Sequence, residues 1–150
     1  MLQRCQLLNQ VEAKGVRLTA QRRALIETIQ EATAHLDAAT LLTLARRRDP
    51  NINRATVYRT IELLKGLGMI DELDLMHLNG EKHYYEVKTE KDHLHLACFQ
   101  CGQIVEFETP MFERLKHEIA ARNEFRIQVM RLEVGGLCSA CAAKQKKQLQ

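Results

Sequence analysis

The sequence predicts an α+β protein in two parts, a helical first half followed by a smaller half in which strands and a helix alternate. Two observations predict this class. Apolar residues recur at helical spacing in the first half, and two Cys-x-x-Cys pairs interrupt short strand-like runs in the second. The 150 residues suffice for one domain or two small ones. No apolar run approaches the length of a membrane span, so we expect no membrane partner.

Two helices are predicted before residue 50. Thr19 is a suitable N-cap for the first. The second begins at Asp37 or Ala38, ends near Arg47 and is stopped by Pro50. The apolar positions expected to face the core have helical spacing: Leu25, Ile26, Ile29, Leu41, Leu42 and Leu44.

A third helix is predicted after Asn51 or Asn53, either of which can cap it, and it ends at Gly66 or Gly68. Its inner stripe follows the spacing i, i+4, i+7: Val57, Ile61 and Leu64.

The outer face of this third helix carries Arg54, Thr56, Tyr58 and Arg59. Guanidinium groups fit phosphates or guanine edges, while Thr and Tyr bond phosphates or touch thymine methyl groups. A solvated charged face is an equally good explanation of this composition alone.

Charge is distributed unevenly along the chain. The first 70 residues hold 11 Lys/Arg against 6 Asp/Glu, a balance of +5, and the other 80 hold 11 against 13, a balance of −2. The first half is therefore the candidate for a polyanionic partner.

Two strand-like runs, 69–75 and 82–87, flank an Asn79-Gly80 pair that favours a hairpin turn. Three helices followed by a β-hairpin make a winged helix-turn-helix. Its third helix would enter the major groove of DNA.

Four cysteines form two pairs separated by 36 residues, Cys98/Cys101 and Cys138/Cys141. Two such turns can hold four thiolates around one tetrahedral zinc ion, which would staple a small core. Two disulfides or a redox dithiol are the alternatives. The first residues do not resemble a secretory signal, which favours a reducing cytosol and argues against disulfides. Cys5 stands alone.

Period-2 alternation places His93 and His95 on one face of a predicted strand. Gly102 turns the chain back, so Glu106 or Glu108 would face these histidines across a hairpin. Such a cluster can bind a metal ion, and surface histidines are the simpler alternative. A zinc hydrolase using His93, His95 and Glu106 is a further possibility, although no nucleophile or acid-base motif accompanies them.

The last predicted elements are a helix, a strand and a tail. Thr109 caps the helix and Pro110 takes its first position. The strand spans 126–134, and the basic residues 144–148 are expected to form a solvated tail. The predicted buried stripe of the helix is Phe112, Leu115 and Ile119.

Four segments in order resemble the ferric uptake regulator family of bacterial metal-sensing repressors. They are Arg-Leu-Thr-Ala-Gln-Arg at 17–22, Ala-Thr-Val-Tyr-Arg-Thr at 55–60, His-Leu-His-Leu-Ala-Cys at 93–98 continuing to Phe107, and Leu-Cys-x-x-Cys at 137–141. The likeness covers roughly residues 15 to 142.

The resemblance implies a winged-helix DNA-binding domain at 1–87, a hinge at 88–92 and an α/β dimerisation domain at 93–150. It also implies a cytoplasmic homodimeric repressor, not an enzyme, that binds a double-stranded operator. The four cysteines correspond to the family's structural Zn(II) site. The implied regulatory ligands are His35, Glu86, His93, His95 and Glu106. The implied DNA contacts are Arg17, Arg54, Thr56, Tyr58 and Arg59.

The departures from the family pattern bear on which metal is sensed. Leu94 and Met130 stand where two ligands of a third metal site would be, so we expect two sites per subunit. Three imidazoles and two carboxylates suit Fe(II) or Mn(II), and Zn(II) can bind in vitro. Glu at both 86 and 106, rather than the Asp usual in peroxide sensors, favours iron-responsive repression, with peroxide sensing as the alternative.

Overall fold

The computed structural model describes residues 6–74, 83–89 and 91–148. The chain divides into two compact units. Among the described residues, unit 1 contains 6–74 and 83–89, and unit 2 contains 91–148.

Unit 1 contains four helices, and side chains fix where three of them begin. Thr19 Oγ1 accepts from the N–H of Arg22 at the start of α2, Asp37 caps α3, and Asn53 caps α4. These predicted starts are confirmed. The helices are α1 (Leu7–Ala13), α2 (Ala20–Glu31), α3 (Ala38–Ala45) and α4 (Arg54–Gly66).

One apolar core lies between these helices. All the residues predicted to be buried on α2 and α4 are buried. On α3 the prediction was wrong for Leu42 and Leu44, which are half-buried. The buried stripe of α3 is Leu41 and Ala45, one turn apart, and this spacing turns the other two leucines to its edges. Helix α1, which was not predicted, adds Leu7 and Val11 to this core.

A three-stranded antiparallel sheet completes unit 1. Its strands are β1 (Leu36–Asp37), β2 (Ile70–Leu73) and β3 (Tyr84–Val87), in the order β1-β3-β2. The predicted pairing of the two wing strands is confirmed, with β2 against β3. The predicted Asn79-Gly80 turn lies outside the described residues.

Unit 2 is built on a second three-stranded sheet, in the order β5-β4-β6. Strand β4 pairs antiparallel with β5 and parallel with β6. Helix α5 connects β5 to β6, and Thr109 caps it with Pro110 in its first turn, as predicted. The elements are β4 (Leu94–Cys98), β5 (Ile104–Phe107), α5 (Pro110–Asn123), β6 (Glu133–Gly136) and α6 (Ser139–Gln148).

Three predictions for unit 2 were wrong. The last strand covers only 133–136, because β4 begins at Leu94 and offers no ladder for residues before Leu132, whose carbonyl accepts from His95. Residues 144–148 are exposed, as predicted, but they belong to helix α6 and do not form a separate tail. In helix α5, Phe112 is buried, but Ile119 is half-buried and Leu115 is 40% exposed.

Candidate metal centres and DNA-binding face

The ends of β4 and β6 bring the four cysteines together. Their sulfur atoms all lie within 4.8 Å of one another, and Cys101 Sγ is 3.8 Å from Cys138 Sγ. Tetrahedral zinc with Zn–S bonds of about 2.3 Å places its sulfurs about 3.8 Å apart. The cluster therefore fits a structural zinc site.

Backbone hydrogen bonds build the two turns that carry these thiols. The N–H of Gly102 donates to Cys98 O at 2.9 Å, and a φ of +72° at Gly102 lets the chain reverse into β5. The N–H of Phe99 donates to Gly136 O at 2.8 Å and ties the first turn to β6. Cys141 lies in the first turn of α6, which follows Cys138 directly. The second pair therefore lies at the start of a helix.

The thiols differ in acidity. The N–H of Cys138 donates to Cys98 Sγ at 3.3 Å and, with the amide of Cys101, lowers the pKa of Cys98 to about 6. The pKa of Cys141 rises to about 12, chiefly through a hydrogen bond with Cys138 and then through burial. One thiol of the cluster is thus readily ionised while another retains its proton. Occupation by a divalent ion would require every ligating thiol to lose its proton, which links zinc binding to pH.

A second donor group lies at the other end of β4. His93 Nε2 and His95 Nε2 are 3.2 Å apart. The Nδ1–H of His93 donates to the carbonyl oxygen of Lys91 at 3.2 Å, which leaves the lone pair of the neutral ring on Nε2. Adjacent ligands of an ion with bonds of about 2.1 Å lie about 3 Å apart, so these nitrogens have the spacing of two ligands.

Glu106 is the strand partner of His95, and a carboxylate oxygen of Glu106 lies within 4.8 Å of a His95 ring nitrogen. Glu106 was one of the two carboxylates predicted to face the histidines. Unit 2 therefore presents two imidazoles and a carboxylate on one face of its sheet, near the start of β4.

Unit 1 carries the other two predicted regulatory residues. His35 precedes β1 and Glu86 lies on β3, the strand that pairs with β1. His35 Nε2 lies 2.8 Å from Glu86 Oε2. An imidazole and a carboxylate are held together although they are 51 positions apart in the sequence.

The predicted DNA-contacting residues of helix α4 differ in solvent exposure and in the hydrogen bonds that they make. Arg54 and Arg59 are exposed, and so is Tyr58, with 44% of its surface accessible. The Thr56 hydroxyl instead donates to Asn53 Oδ1 at 3.1 Å and belongs to the helix cap. Arg17, before α2, is exposed as well.

Two arginines that follow α3 have partners within unit 1. Arg46 donates to the carbonyl oxygen of Ile52 at 2.9 Å, and Arg48 pairs with Glu27 and Glu31 of α2. These cations orient the helix-turn-helix, whereas the arginines of α4 point to solvent.

One electrostatic contact beside the imidazoles was missed by sequence analysis. Lys116 Nζ of α5 lies 2.5 Å from Asp92 Oδ2. The two residues are 24 positions apart, and no spacing rule connects them.

None of the helices in the described parts of the chain has the length and apolar character needed to cross a membrane.

Comparison with known proteins identifies this combination of a winged-helix unit and clustered metal ligands. Residues 13–135 match the family model of the ferric uptake regulators. A ferric uptake regulation protein of Campylobacter upsaliensis is 34% identical over 134 residues, which are 88% of this chain and 84% of that protein. The peroxide operon regulator of Bacillus subtilis strain 168 is 29% identical over 138 residues, 92% of each chain.

Solved structures agree. A zinc-bound manganese uptake regulator is 31% identical and superposes with a TM-score of 0.70, over 88% of this chain and 98% of that one. A zinc uptake regulator complexed with zinc and DNA is 25% identical with a TM-score of 0.66, over 95% of both. Fold and site define a metal-responsive DNA-binding regulator. The chain belongs to the ferric uptake regulator family.

Proposed function

We propose that this regulator represses metal-uptake genes and binds its operator when Fe(II) occupies a regulatory site. The observation that carries the proposal is the pair of Nε2 atoms of His93 and His95, 3.2 Å apart. Two imidazoles placed in this way, with Glu106 as strand partner, are a donor set suited to Fe(II) or Mn(II). The protein would act in the cytoplasm and catalyse no reaction.

The proposed regulatory ligands come from both units: His35, Glu86, His93, His95 and Glu106. The bound ion would supply positive charge and would require its ligands to adopt a fixed coordination geometry. Because no single unit holds all five ligands, metal binding would favour one arrangement of the units. If that arrangement also spaces two recognition helices for successive major grooves, metal and DNA binding strengthen each other. Couplings of about 1–3 kcal/mol correspond to roughly 5–150-fold tighter DNA binding.

The units would divide the work as the resemblance implies. Residues 1–87 would bind DNA, 88–92 would form the hinge, and 93–150 would dimerise. In the DNA-binding domain, Arg54, Tyr58 and Arg59 project from α4 and support its role as the recognition helix. Arg17 would add a phosphate contact, and Thr56 would act chiefly through the helix cap.

Exposed apolar surface in unit 2 supports the proposed homodimer. Of the ten exposed large apolar side chains among the described residues, nine belong to unit 2. On β5, Val105 and Phe107 are 42% and 49% exposed, and on β6 Val134 is 51% exposed. Leu115, which was predicted to be buried, is one of these nine exposed side chains. A second copy covering these residues would remove apolar surface from water.

The test is anaerobic DNA binding to a promoter fragment of a metal-uptake gene. Fe(II), Mn(II) and Zn(II) are titrated separately into protein that already holds structural zinc. We expect Fe(II) to tighten binding within the range given above. His93→Ala should abolish that gain while leaving the circular dichroism spectrum unchanged. The matched control is His117→Ala, since His117 is an exposed histidine on α5. Binding that no metal alters, or that His93→Ala leaves fully metal-dependent, would refute the proposed regulatory site.

Peroxide sensing is the second candidate, because a peroxide operon regulator matches 92% of the chain. Adding peroxide to the Fe(II)-loaded complex separates the two functions. Binding that survives mild peroxide supports iron-responsive repression. Rapid loss in the Fe(II) form, with the Mn(II) form unaffected, supports peroxide sensing.

A further inference from the structure

The hairpin of β2 and β3 carries a third group of ligand-type side chains, which neither metal centre described above includes. Antiparallel pairing of Leu73 with Tyr84 places the next residues, Asp74 and His83, opposite each other. Glu72 lies two residues before Asp74, on the same face of the hairpin. The register therefore directs three potential ligands to one side. We call Glu72, Asp74 and His83 the wing-stem cluster.

The distances within the wing-stem cluster are those of adjacent metal ligands. His83 Nδ1 lies 2.7 Å from Asp74 Oδ1 and 3.1 Å from Glu72 Oε1. One ligand atom from each of the three residues lies within 4.8 Å of the others. Bonds of about 2.1 Å to one ion require neighbouring ligand atoms about 3 Å apart. A divalent ion would therefore need only small side-chain movements to replace the shared hydrogen bonds.

A lysine outside the cluster orients one of its carboxylates. Lys65 Nζ, from α4, contacts Glu72 Oε2, while Glu72 Oε1 faces His83. This contact raises the pKa of Lys65, so the lysine stays charged. The two oxygens of Glu72 thus have separate partners, and only one is available to the cluster. Hydrogen bonding of a ligand carboxylate by a neighbouring group is how proteins fix the orientation of metal ligands.

The three side chains of the wing-stem cluster differ in solvent exposure, and this difference suits a metal site that is open to water. The side chain of Glu72 is 22% exposed, whereas those of His83 and Asp74 are 52% and 79% exposed. One ligand is thus anchored against the protein while the other two lie at the surface. Water would complete the coordination of an ion bound there. One imidazole with two carboxylates suits Mn(II), Co(II) or Zn(II).

We propose that Glu72, Asp74 and His83 bind a divalent transition-metal ion, at a site separate from the four cysteines and from the pair of His93 and His95. The occupied site would offset the two carboxylate charges of the wing-stem cluster, in the unit proposed to bind DNA. Less negative charge there favours approach to phosphates. The proposed regulatory mechanism is not needed for this site, which uses residues of unit 1 alone.

The experiment measures metal binding and not DNA binding, so its result is independent of the proposed function. Zinc-loaded protein carrying His93→Ala is titrated with Mn(II), and free Mn(II) is followed by electron paramagnetic resonance. We expect one Mn(II) ion per chain whose binding depends on His83. Adding His83→Ala should weaken that binding at least about tenfold. Adding His117→Ala instead should leave it unchanged.

A second measurement locates the ion in the parent protein. Substoichiometric Mn(II) broadens the amide resonances of nearby residues, so those of Leu73 and Tyr84 should broaden, and Asp74→Asn should abolish that effect. The proposal is overturned if the His93→Ala protein takes up no Mn(II) at millimolar concentration, or if His83→Ala changes nothing. Broadening that leaves the hairpin amides sharp would overturn it as well.

Discussion

Replacing Cys98 by serine should unfold unit 2 and leave unit 1 folded. Only four apolar residues described in unit 2 are buried: Ala97, Cys98, Phe112 and Cys141. The cluster of sixteen buried residues belongs entirely to unit 1. Structural zinc supplies about 10–16 kcal/mol of apparent binding free energy. A whole domain is typically stable by only about 5–15 kcal/mol. The small core of unit 2 therefore cannot replace the zinc contribution.

The variant removes two interactions at once. It deletes one zinc ligand, and it deletes the sulfur that accepts the N–H of Cys138. Zinc content and two-dimensional amide NMR spectra, recorded with and without a chelator, measure the outcome. We expect the Cys98→Ser protein to lose zinc and to retain dispersed resonances for unit 1 alone, residues 6–74 and 83–89. Cys5→Ser is the matched control, because Cys5 belongs to neither Cys-x-x-Cys pair. A zinc-free Cys98→Ser protein with unit 2 still folded and dimeric would refute this reasoning.

Two other predictions concern charged side chains. Arg59→Ala should weaken operator binding by about 1–3 kcal/mol, or 5–150-fold, without changing metal affinity, whereas Arg48→Ala, whose guanidinium is already paired, should have a smaller effect in the same gel-shift titration. Equal losses would place the recognition face elsewhere. Lys116→Met should lower the thermal midpoint slightly at neutral pH, because Lys116 holds the pKa of Asp92 below its usual 3.8. The pKa of Lys116 is itself raised above 10.5. The stabilisation is thus fully present between about pH 4 and 10.5, and is lost as the pH falls through the lowered pKa of Asp92 or rises through the raised pKa of Lys116. A midpoint difference that persists at pH 2 would contradict the ion-pair explanation.

Local signals in the sequence predicted the helix starts and the wing strands correctly. Thr19, Asp37, Asn53 and Thr109 each cap the helix that follows, because capping depends on a few neighbouring atoms. Features that depend on residues distant in the sequence were harder to predict. The two-residue strand β1 exists only because β3 lies beside it, and its length gives no periodic signal. The prediction for 126–132 failed for a similar reason, since strand formation there depends on the length of β4.

In the candidate sites too, features with a local sequence signal were predicted, and features that depend on distant partners were not evident from the residues themselves. The spacing of the cysteine pairs predicted a four-cysteine cluster, and the structure brings their sulfur atoms together. The approach of His35 to Glu86 is set by strand pairing between β1 and β3 and has no signature in the residues themselves. The same is true of Lys116 and Asp92. Resemblance to a family indicated the histidine and the glutamate, while nothing in the sequence indicated the lysine.

The arrangement of strands in unit 2 also implies an order of folding. Strand β4 pairs with β5, from which only the short turn containing Cys101 separates it in the sequence. It also pairs with β6, but the whole of α5 lies between β5 and β6 in the sequence. Contacts between residues close in sequence form earlier than parallel pairing across a long crossover. The first two cysteines are therefore positioned before the last two arrive. A zinc ion captured early by Cys98 and Cys101 would shorten the search of β6 for its place, and the metal would guide the folding of this unit as well as stabilise its final state.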